Sequence, residues 1–409
     1  MFGYLWVIFH RKTAERGMAE AAAGGTAPRF TGAQSRHLGC LMLGIAVVGV
    51  QALMVAPLLT DMARDLGVGP EVIGRAHGVY GAGVALAALA AAPRLDLWPR
   101  RLTALLAMLV LAAALVAASF AADWWMLAAA LGVCGLAAGV ILPSVYALAA
   151  DLSPPSLRAR AVGRVITGWS IALVLGVPLA AFLSESFGWR GVFAIMAGLA
   201  ALSAFTFLTL PGRSDRQPAA VVSYREALTQ PGVIRLLLVT LAYMIAFYGT
   251  YTFLSDHLRG LHDAGAGLGG FIALGYGLGF GAAVVFDGLL DRLGPRRLAA
   301  PVFLLIGGIY LAMPWAAGAG PLAIVLLSLP WGVLNHLGLN VIVSLLSGGP
   351  EATRGAVMGL YSSVTYIAHF LAGAAMGLVY ADFGFTVLAV VAGAWLVLAA
   401  GLMMGRGRG

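Results

Sequence analysis

The residues that could do chemistry in this chain are few, and they lie within long apolar stretches. His336, Asn340 and Ser344 follow each other at intervals of four residues, which places them on one face of a helix. Histidine changes its charge near neutral pH, so this face could bind a substrate or carry a proton. The same spacing also fits hydrogen bonds that only hold helices together, at about 0.6 kcal/mol per contact. The sequence leaves both interpretations open.

Other polar side chains in apolar stretches have the same two interpretations, the lining of a cavity or packing within a bundle. In lipid such groups must point toward partners or water. We predict that they line a central cavity together. The predicted cavity residues are Gln51, Tyr243, Tyr248, Tyr251, Tyr276, Asn335, His336, Asn340, Tyr366 and His369. We expect no acidic residue deep in an apolar stretch, and no titratable group of the amino-terminal half at the depth of His336.

Enzyme chemistry is not indicated. The patterns HExxH and GxSxG are both absent, and no apolar stretch holds a pair of carboxylates. Lys12 is the one lysine and follows no glycine-rich loop, which excludes an ATPase phosphate loop. Cys40 and Cys134 cannot build a metal cluster or a disulfide framework. We therefore expect a protein that is not an enzyme and binds neither a cofactor nor a metal.

The elements that must position these residues are membrane helices. Hydrophobic residues make up 61% of the chain and charged residues 10%, whereas an average soluble domain is about half apolar and a quarter charged. This composition excludes soluble and disordered proteins. A transmembrane helix needs about 20 mostly apolar residues. The chain has twelve such runs, numbered as spans one to twelve: 38–60, 73–93, 102–121, 125–150, 162–184, 191–210, 234–255, 268–287, 298–316, 321–347, 356–380 and 385–404.

The distribution of Arg and Lys predicts the orientation in the membrane. With the amino terminus inside, the inner segments hold 21 of the 25 basic residues and the outer segments hold 4. By the positive-inside rule both termini are cytoplasmic, and we expect a bacterial plasma (inner) membrane protein. The arginines then meet anionic lipid head groups, so the net charge of +8 requires no nucleic acid.

Residues 1–37 precede the first span and are predicted to be a cytoplasmic tail. A second methionine, Met18, opens a polar segment rich in Ala and Gly. We expect translation to start there, so that residues 1–17 are not translated. The alternative is that the short apolar stretch at the start is an interfacial anchor.

The chain has the pattern of a tandem duplication. A shift of 195 or 196 residues maps Asp61 onto Asp256, Arg64 onto Arg259, Tyr80 onto Tyr276, Gly81 onto Gly277 and Gly188 onto Gly384. Two parallel halves of six helices are an architecture of secondary transporters, with the binding site between the halves. The predicted fold is all-α, with twelve transmembrane helices in two pseudo-symmetric six-helix bundles. The predicted segments are 1–37 tail, 38–210 first bundle, 211–233 cytoplasmic linker, 234–404 second bundle and 405–409 tail.

The most specific motif lies in the loop between spans eight and nine, which reads Asp291-Arg292-Leu293-Gly294-Pro295-Arg296-Arg297. The equivalent loop after span two keeps the acidic residue and the paired arginines, as Asp96, Arg100 and Arg101. This motif resembles the loop signature of the major facilitator superfamily (MFS). Over residues 38–404 the chain is similar to the twelve-helix efflux group of that family, the drug:proton antiporters and sugar-efflux-permease-like proteins. Ala92 and Asp287 stand where the family has Gly.

The resemblance implies a charge clamp that closes one conformation on the cytoplasmic side. The alternative is that these charges only enforce topology. The predicted clamp residues are Asp96, Arg100, Arg101, Asp291, Arg292, Gly294, Arg296 and Arg297. It also implies that Gly168, Gly176 and Pro178 of span five let helices of the two halves pack closely.

The function that the resemblance implies is export of a small organic molecule by alternating access, by a monomer in lipid. Leu131 and Cys134 replace the Arg and Gln of the family's span-four motif, which is associated with proton coupling. Proton antiport therefore stays open, and the alternative is a facilitator or uptake transporter without proton coupling. A membrane sensor would need an added soluble domain, and no loop is long enough to hold one.

Overall fold

The computed structural model describes residues 29–91, 98–212 and 223–404, and the regular elements of these ranges are all helical. The predicted start at Met18, the clamp residue Asp96 and the tail 405–409 lie outside the described residues. The α-helices are Gly32–Leu53, Val55–Asp65, Pro70–Ala91, Arg100–Ser119, Trp124–Asp151, Arg158–Ile171, Val177–Phe207, Tyr224–Thr229, Val233–His262, Ala266–Ala282, Asp287–Leu293, Pro295–Ala319, Pro321–Ser347, Glu351–Leu371 and Gly377–Met404.

The described helices provide twelve membrane crossings. Ten continuous helical stretches in this part of the chain are long and apolar enough to cross a membrane, and two of them have 50 and 54 residues. Since about 20 residues cross once, each of these two holds a pair of spans. The pairs divide at Gly188 and Gly384, where φ is 66° and 76°, a region that glycine adopts without steric cost. The predicted all-α membrane fold is confirmed.

Several spans depart from a regular α-helix. Span one divides at Met54, between the helices Gly32–Leu53 and Val55–Asp65. Spans five and eleven each contain a π-helical turn, at Ala172–Gly176 and Ala372–Met376. Span eight changes to a 3-10 turn over Ala283–Phe286 before the short helix Asp287–Leu293 begins. Such irregular turns change the direction in which the following side chains point.

Glycines allow close helix packing in equivalent places of the two halves. A Cβ atom on Gly83 of span two would lie 2.3 Å from the carbonyl oxygen of Gly132, on span four. A Cβ atom on Gly279, the residue equivalent to Gly83 in span eight, would lie 2.0 Å from the carbonyl oxygen of Leu329, on span ten. The repeat in the sequence therefore corresponds to a repeat of backbone contacts.

We expect Gly279→Ala to destabilise the protein and Gly281→Ala to leave its stability nearly unchanged. The added methyl at position 279 meets a backbone carbonyl that cannot rotate away, whereas position 281 has open space around it. Overpacking of this kind costs about 1–3 kcal/mol. Thermal unfolding in detergent measures both variants, and equal midpoints would contradict the packing role of Gly279.

Gly168 and Gly176 make a different contact from the predicted one between the halves. A Cβ atom on Gly168 would lie 2.5 Å from a backbone carbonyl of span one, and one on Gly176 would lie 2.1 Å from Val50 Cγ2. Both contacts are within the amino-terminal half. Pro178 lies two residues further, on another side of the helix, and its carbonyl oxygen would be 3.3 Å from a Cβ on Gly270 of span eight. Pro178 thus belongs to the interface between the halves, whereas the nearest atoms to a Cβ on either glycine belong to span one.

Candidate functional site

A cavity of about 330 Å³ lies between the two halves. Spans one, two, four and five form its wall on one side, and spans seven, eight, ten and eleven form it on the other. The described lining contains no charged side chain. The aromatic lining residues are Tyr146, Trp169, Tyr243, Phe247, Tyr248, Tyr276, Phe280, Tyr361 and Tyr366. This wall suits an apolar or aromatic molecule that hydrogen bonds to phenol groups.

The cavity extends toward one side of the membrane. We call the side with the segments 98–99, 152–157 and 348–350 the arginine-rich side. The other side, with the loop 66–69, is called the opposite side. The lining includes Ala88 near the end of span two and Gly355 near the start of span eleven. Both residues lie toward the arginine-rich side, so the cavity reaches in that direction.

On the opposite side an ion pair joins the two halves. Arg259 of span seven donates from both terminal nitrogens to the carboxylate of Asp61 on span one, at 2.8 and 2.7 Å. The Arg259 side chain is only 9% exposed, and that of Asp61 is 28% exposed. We call this contact the Asp61–Arg259 latch. Because its donors and acceptors come from different halves, it holds this side closed.

A second contact between the halves lies beside the latch. Thr60 donates from its hydroxyl to Asp256 at 2.7 Å, and Tyr380 donates to the other oxygen of Asp256 at 2.6 Å. Asp61 and Asp256 are equivalent residues of the repeat, so both halves contribute a carboxylate to this gate. The repeated spacing Asp-x-x-Arg was the sequence signal for it.

Four of the predicted cavity residues line the cavity, and they are Tyr243, Tyr248, Tyr276 and Tyr366. The other six lie outside the described lining: Gln51, Tyr251, Asn335, His336, Asn340 and His369. Gln51 is fully buried, and its amide group has no hydrogen-bond partner among the described residues. Helix rotation, not polarity, decides which face of each helix meets this cavity, and the site role of these six residues stays a prediction.

Asn335 lies behind the tyrosine wall and positions two of its members. Its side-chain oxygen accepts a hydrogen bond from Tyr243 at 3.0 Å, and its amide nitrogen donates to Tyr276 at 3.3 Å. The buried amide therefore has partners for both of its ends. Asn335 fixes the orientation of lining residues without contacting the cavity itself.

His336 and Asn340 share a carboxylate partner on span eight. His336 Nε2 lies 3.1 Å from Asp287 Oδ1, and Asn340 Nδ2 donates to the same oxygen at 2.9 Å. The Asp287 side chain is only 12% exposed. The sequence analysis did not identify this buried carboxylate as a partner of span ten. Asp287 ends the predicted span, but the 3-10 turn before it directs its side chain toward span ten, where two polar groups compensate its burial.

A histidine of the amino-terminal half escaped the sequence analysis. His77 of span two is 2% exposed, and its Nε2 lies 3.2 Å from the carbonyl oxygen of Ala52. Its ring contacts that of His369 on span eleven, with the ring centroids 4.5 Å apart. A single histidine inside the apolar run 73–93 was the available signal.

Two of the predicted clamp arginines bond within their own half. Arg100 is buried and forms an ion pair with Asp151 at the end of span four, at 2.6 Å. Arg101 donates to the carbonyl oxygens of Phe207 and Leu208 at the end of span six. These contacts tie span three to its neighbours on the arginine-rich side.

The remaining predicted clamp residues are Asp96, Asp291, Arg292, Gly294, Arg296 and Arg297. The three arginines are exposed and form no ion pair with a side chain that the structure describes. Gly294 has a φ of 79° and connects two helices, which explains the glycine of the motif. Asp96 and the Asp291 side chain lie outside the described parts. The clamp role of these residues stays a prediction.

The structure has two six-helix halves around a central cavity, and the halves are joined on one side of that cavity. This architecture defines the class of secondary transporters that bind their substrate between two halves of the chain. The model of the Major Facilitator Superfamily matches residues 41–373. The chain belongs to this family, as its loop motif predicted. It is an integral membrane transporter of small molecules and not an enzyme.

Known proteins of similar sequence and structure agree with this assignment. The chain is 29% identical over 368 residues to an uncharacterized MFS-type transporter, YwfA, of Bacillus subtilis (strain 168), covering 88% of this chain and 89% of the relative. Its fold is similar to a bacterial homolog of the human lysosomal transporter Spinster in an inward-facing and unoccupied conformation. The TM-score is 0.71 at 18% identity, over 92% of this chain and 97% of that chain. The human organic anion transporter MFSD10 (TETRAN) matches with a TM-score of 0.65 at 19% identity, over 91% and 99% of the two chains.

Proposed function

We propose that this protein exports a small organic molecule by alternating access, as a monomer in a bacterial plasma membrane. The supporting observation is an aromatic cavity between the halves that extends toward the arginine-rich side while the Asp61–Arg259 latch joins the halves opposite. The positive-inside rule places the arginine-rich side and both termini in the cytoplasm. The cavity then loads from the cytoplasm, as an exporter requires.

The substrate class that this cavity favours is uncharged and aromatic or apolar. Aromatic faces supply contact area, and the lining tyrosines offer hydrogen bonds without a fixed charge. An organic anion is less favoured, because the described lining has no arginine or lysine to pair with it. The positioning of Tyr243 and Tyr276 by Asn335 supports a preformed site.

Transport assays in inside-out vesicles test the proposed direction. Such vesicles expose the cytoplasmic side, so an exported compound accumulates inside them. A panel of uncharged fluorescent aromatic compounds serves as the probe, with vesicles lacking the protein as the control. Accumulation only in right-side-out vesicles would contradict export and favour uptake.

Proton antiport is part of the proposal, with Asp287 and His336 as the proton-binding pair. These are titratable groups in direct contact, on two different spans of the carboxyl-terminal half. The second candidate is a facilitator without proton coupling. It is favoured by Leu131, which is fully buried where the family's motif has an arginine. Transport by the wild type with and without an imposed proton gradient decides between them.

The loop motif is proposed to close the arginine-rich side in the opposite conformation. Asp291→Asn removes a charge and keeps the side-chain size, so we expect transport to slow while substrate affinity in detergent stays nearly constant. Ion pairs at protein surfaces contribute about 0.2–1 kcal/mol, and a loss of that size predicts a decrease in the transport rate of up to about fivefold. A normal rate in proteoliposomes would leave only the topological role for this loop.

A further inference from the structure

Two buried histidines face each other across the interface between the halves. The rings of His77 and His369 stand nearly perpendicular, at 82°, with centroids 4.5 Å apart, and both residues are 2% exposed. His77 is anchored through Nε2 to the carbonyl oxygen of Ala52. Neither ring nitrogen of His369 has a hydrogen-bond partner among the described residues, and the same is true of His77 Nδ1. Such unpartnered buried nitrogens require an explanation.

The groups around the pair are neutral. Tyr248 of span seven stacks on His369 with the centroids 4.2 Å apart and the planes 7° apart. Tyr80 of span two lies 5.7 Å from the His369 ring. Tyr366 is the neighbouring titratable residue on span eleven, and span one presents the Ala52 carbonyl. The pair is therefore surrounded by phenols and a carbonyl.

No described counter-charge is bonded to the pair. Neither histidine forms an ion pair with a residue that the structure describes. The pair contacts residues of spans one, two, seven and eleven. On each of these spans the charged residue nearest in sequence lies toward the opposite side, and these residues are Asp61, Arg75, Asp256 and Asp382. One imidazolium can rest against the face of Tyr248. A second imidazolium beside it would meet a like charge in a poorly hydrated interface.

The pair lies where spans two and eleven are in backbone contact. A Cβ atom on Gly373 would lie 2.3 Å from the carbonyl oxygen of Gly74, and one on Gly81 would lie 2.8 Å from His369 Cβ. These distances leave no space for water between the two helices. Spans two and eleven must separate when the cavity opens to the opposite side, and that separation would hydrate both rings.

We propose that His77 and His369 form a proton-binding site within the gate on the opposite side, and that the gate closes only when the pair carries at most one proton. Two imidazolium groups at this distance repel each other strongly in a medium of low dielectric constant, and desolvation adds to that cost. Acid on the opposite side therefore holds the gate open, and neutral pH permits its closure. The site rests on the proposed alternating access, and it is separate from the pair of Asp287 and His336.

The test measures the gate directly and needs no substrate. Ser186 and Asp382 are exposed, equivalent residues of the repeat on the opposite side of the two halves. Cysteines at both positions, in a background with Cys40→Ser and Cys134→Ala, carry spin labels for distance measurements in lipid nanodiscs. Between pH 8 and pH 5 we expect the ratio of long to short distances to rise about tenfold, which corresponds to about 1.4 kcal/mol.

Matched variants assign the effect to the pair. His77→Gln keeps a donor for the Ala52 carbonyl, and His369→Phe keeps a ring against Tyr248, so the double variant should show no pH-dependent shift. His257→Gln removes a partly buried histidine of the same side, which stacks on Phe385, and should keep the full shift. Should the double variant fail to fold, His369→Phe alone serves for the same comparison.

Three results would overturn the proposal: a wild type without the shift, a folded double variant that retains it, or a loss of the shift in His257→Gln. A wild type that shows the shift but moves no compound in vesicles would contradict the proposed export alone. The two proposals therefore fail in different measurements.

Discussion

Asp61→Asn should shift the protein toward the conformation that is open on the opposite side. The substitution removes the carboxylate that accepts two charged hydrogen bonds, at 2.7 and 2.8 Å, from an Arg259 side chain that is only 9% exposed. A hydrogen bond to a charged group contributes about 1.5–3 kcal/mol. Losing one such contribution changes the ratio of the two conformations by roughly 10- to 150-fold.

Distances between spin labels at positions 186 and 382 measure this shift at constant pH. The matched control is Arg64→Gln. Arg64 is the repeat equivalent of Arg259 and lies 3.7 Å from Asp61, but its side chain is 75% exposed. An exposed pair of this kind contributes about 0–1 kcal/mol, so the control should stay closed.

Exchange of the charges at positions 61 and 259 distinguishes a specific ion pair from a general destabilisation of the closed conformation. The double variant Asp61→Arg with Arg259→Asp restores opposite charges across the halves and should recover part of the closed population. Equal opening in Asp61→Asn and Arg64→Gln would show that the latch does not hold the gate. An Asp61→Asn protein that remains closed would contradict the role of the latch as well.

The span pattern and the repeat were predictable because both depend on local composition and on spacing along the chain. Twelve apolar runs and an offset of 196 residues predict the spans and the equivalence of Gly188 with Gly384. Both of these glycines have a positive φ at the point where two spans meet. Burial of an apolar helix in lipid requires only its length, so it needs no knowledge of its neighbours.

The cavity lining was only partly predictable, because it depends on how each helix is rotated in the bundle. Tyr276 lines the cavity, while Asn335, which bonds to it, lies behind the wall. Both were reasonable candidates by polarity. The side of the helix that faces the cavity is set by packing, such as the contact of Gly279 with Leu329.

Partners across the halves were not predictable either. The repeat of Asp-x-x-Arg offers two equivalent pairs, Asp61 with Arg259 and Asp256 with Arg64. The structure contains the first, and Asp256 accepts hydrogen bonds from Thr60 and Tyr380 instead. The sequence repeat cannot indicate which of the two equivalent pairs forms, because the two halves are not related by exact symmetry in a single conformation of the bundle.

His336→Gln should abolish the response of transport to a proton gradient. His336 Nε2 lies between Asp287 Oδ1 at 3.1 Å and Asn340 Nδ2 at 2.9 Å. Unprotonated, this nitrogen accepts from Asn340, and protonated, it donates to Asp287. Binding of one proton therefore changes the hydrogen bonds between spans eight and ten. This change takes place next to Phe280 of the cavity wall, because the ring centroids of Phe280 and His336 are 4.9 Å apart.

The expected size of the effect on transport follows from the coupling free energy between the proton site and the substrate site. Coupling free energies of about 1–3 kcal/mol change an affinity by roughly 5- to 150-fold. Glutamine keeps a donor and an acceptor at position 336 but does not titrate, so the protein should fold and bind substrate while the gradient no longer accelerates transport. Asp287→Asn should have the same effect, because the second partner of the proton is lost.

Gradient-driven transport in proteoliposomes compares the wild type, His336→Gln, Asp287→Asn and the control His37→Gln, which lies outside this network near the start of span one. The control should respond like the wild type. Equal responses in the wild type and His336→Gln would reduce this network to packing between helices. A wild type that transports at the same rate with and without the gradient would favour the facilitator, because Leu131 then replaces an arginine that this transporter does not need.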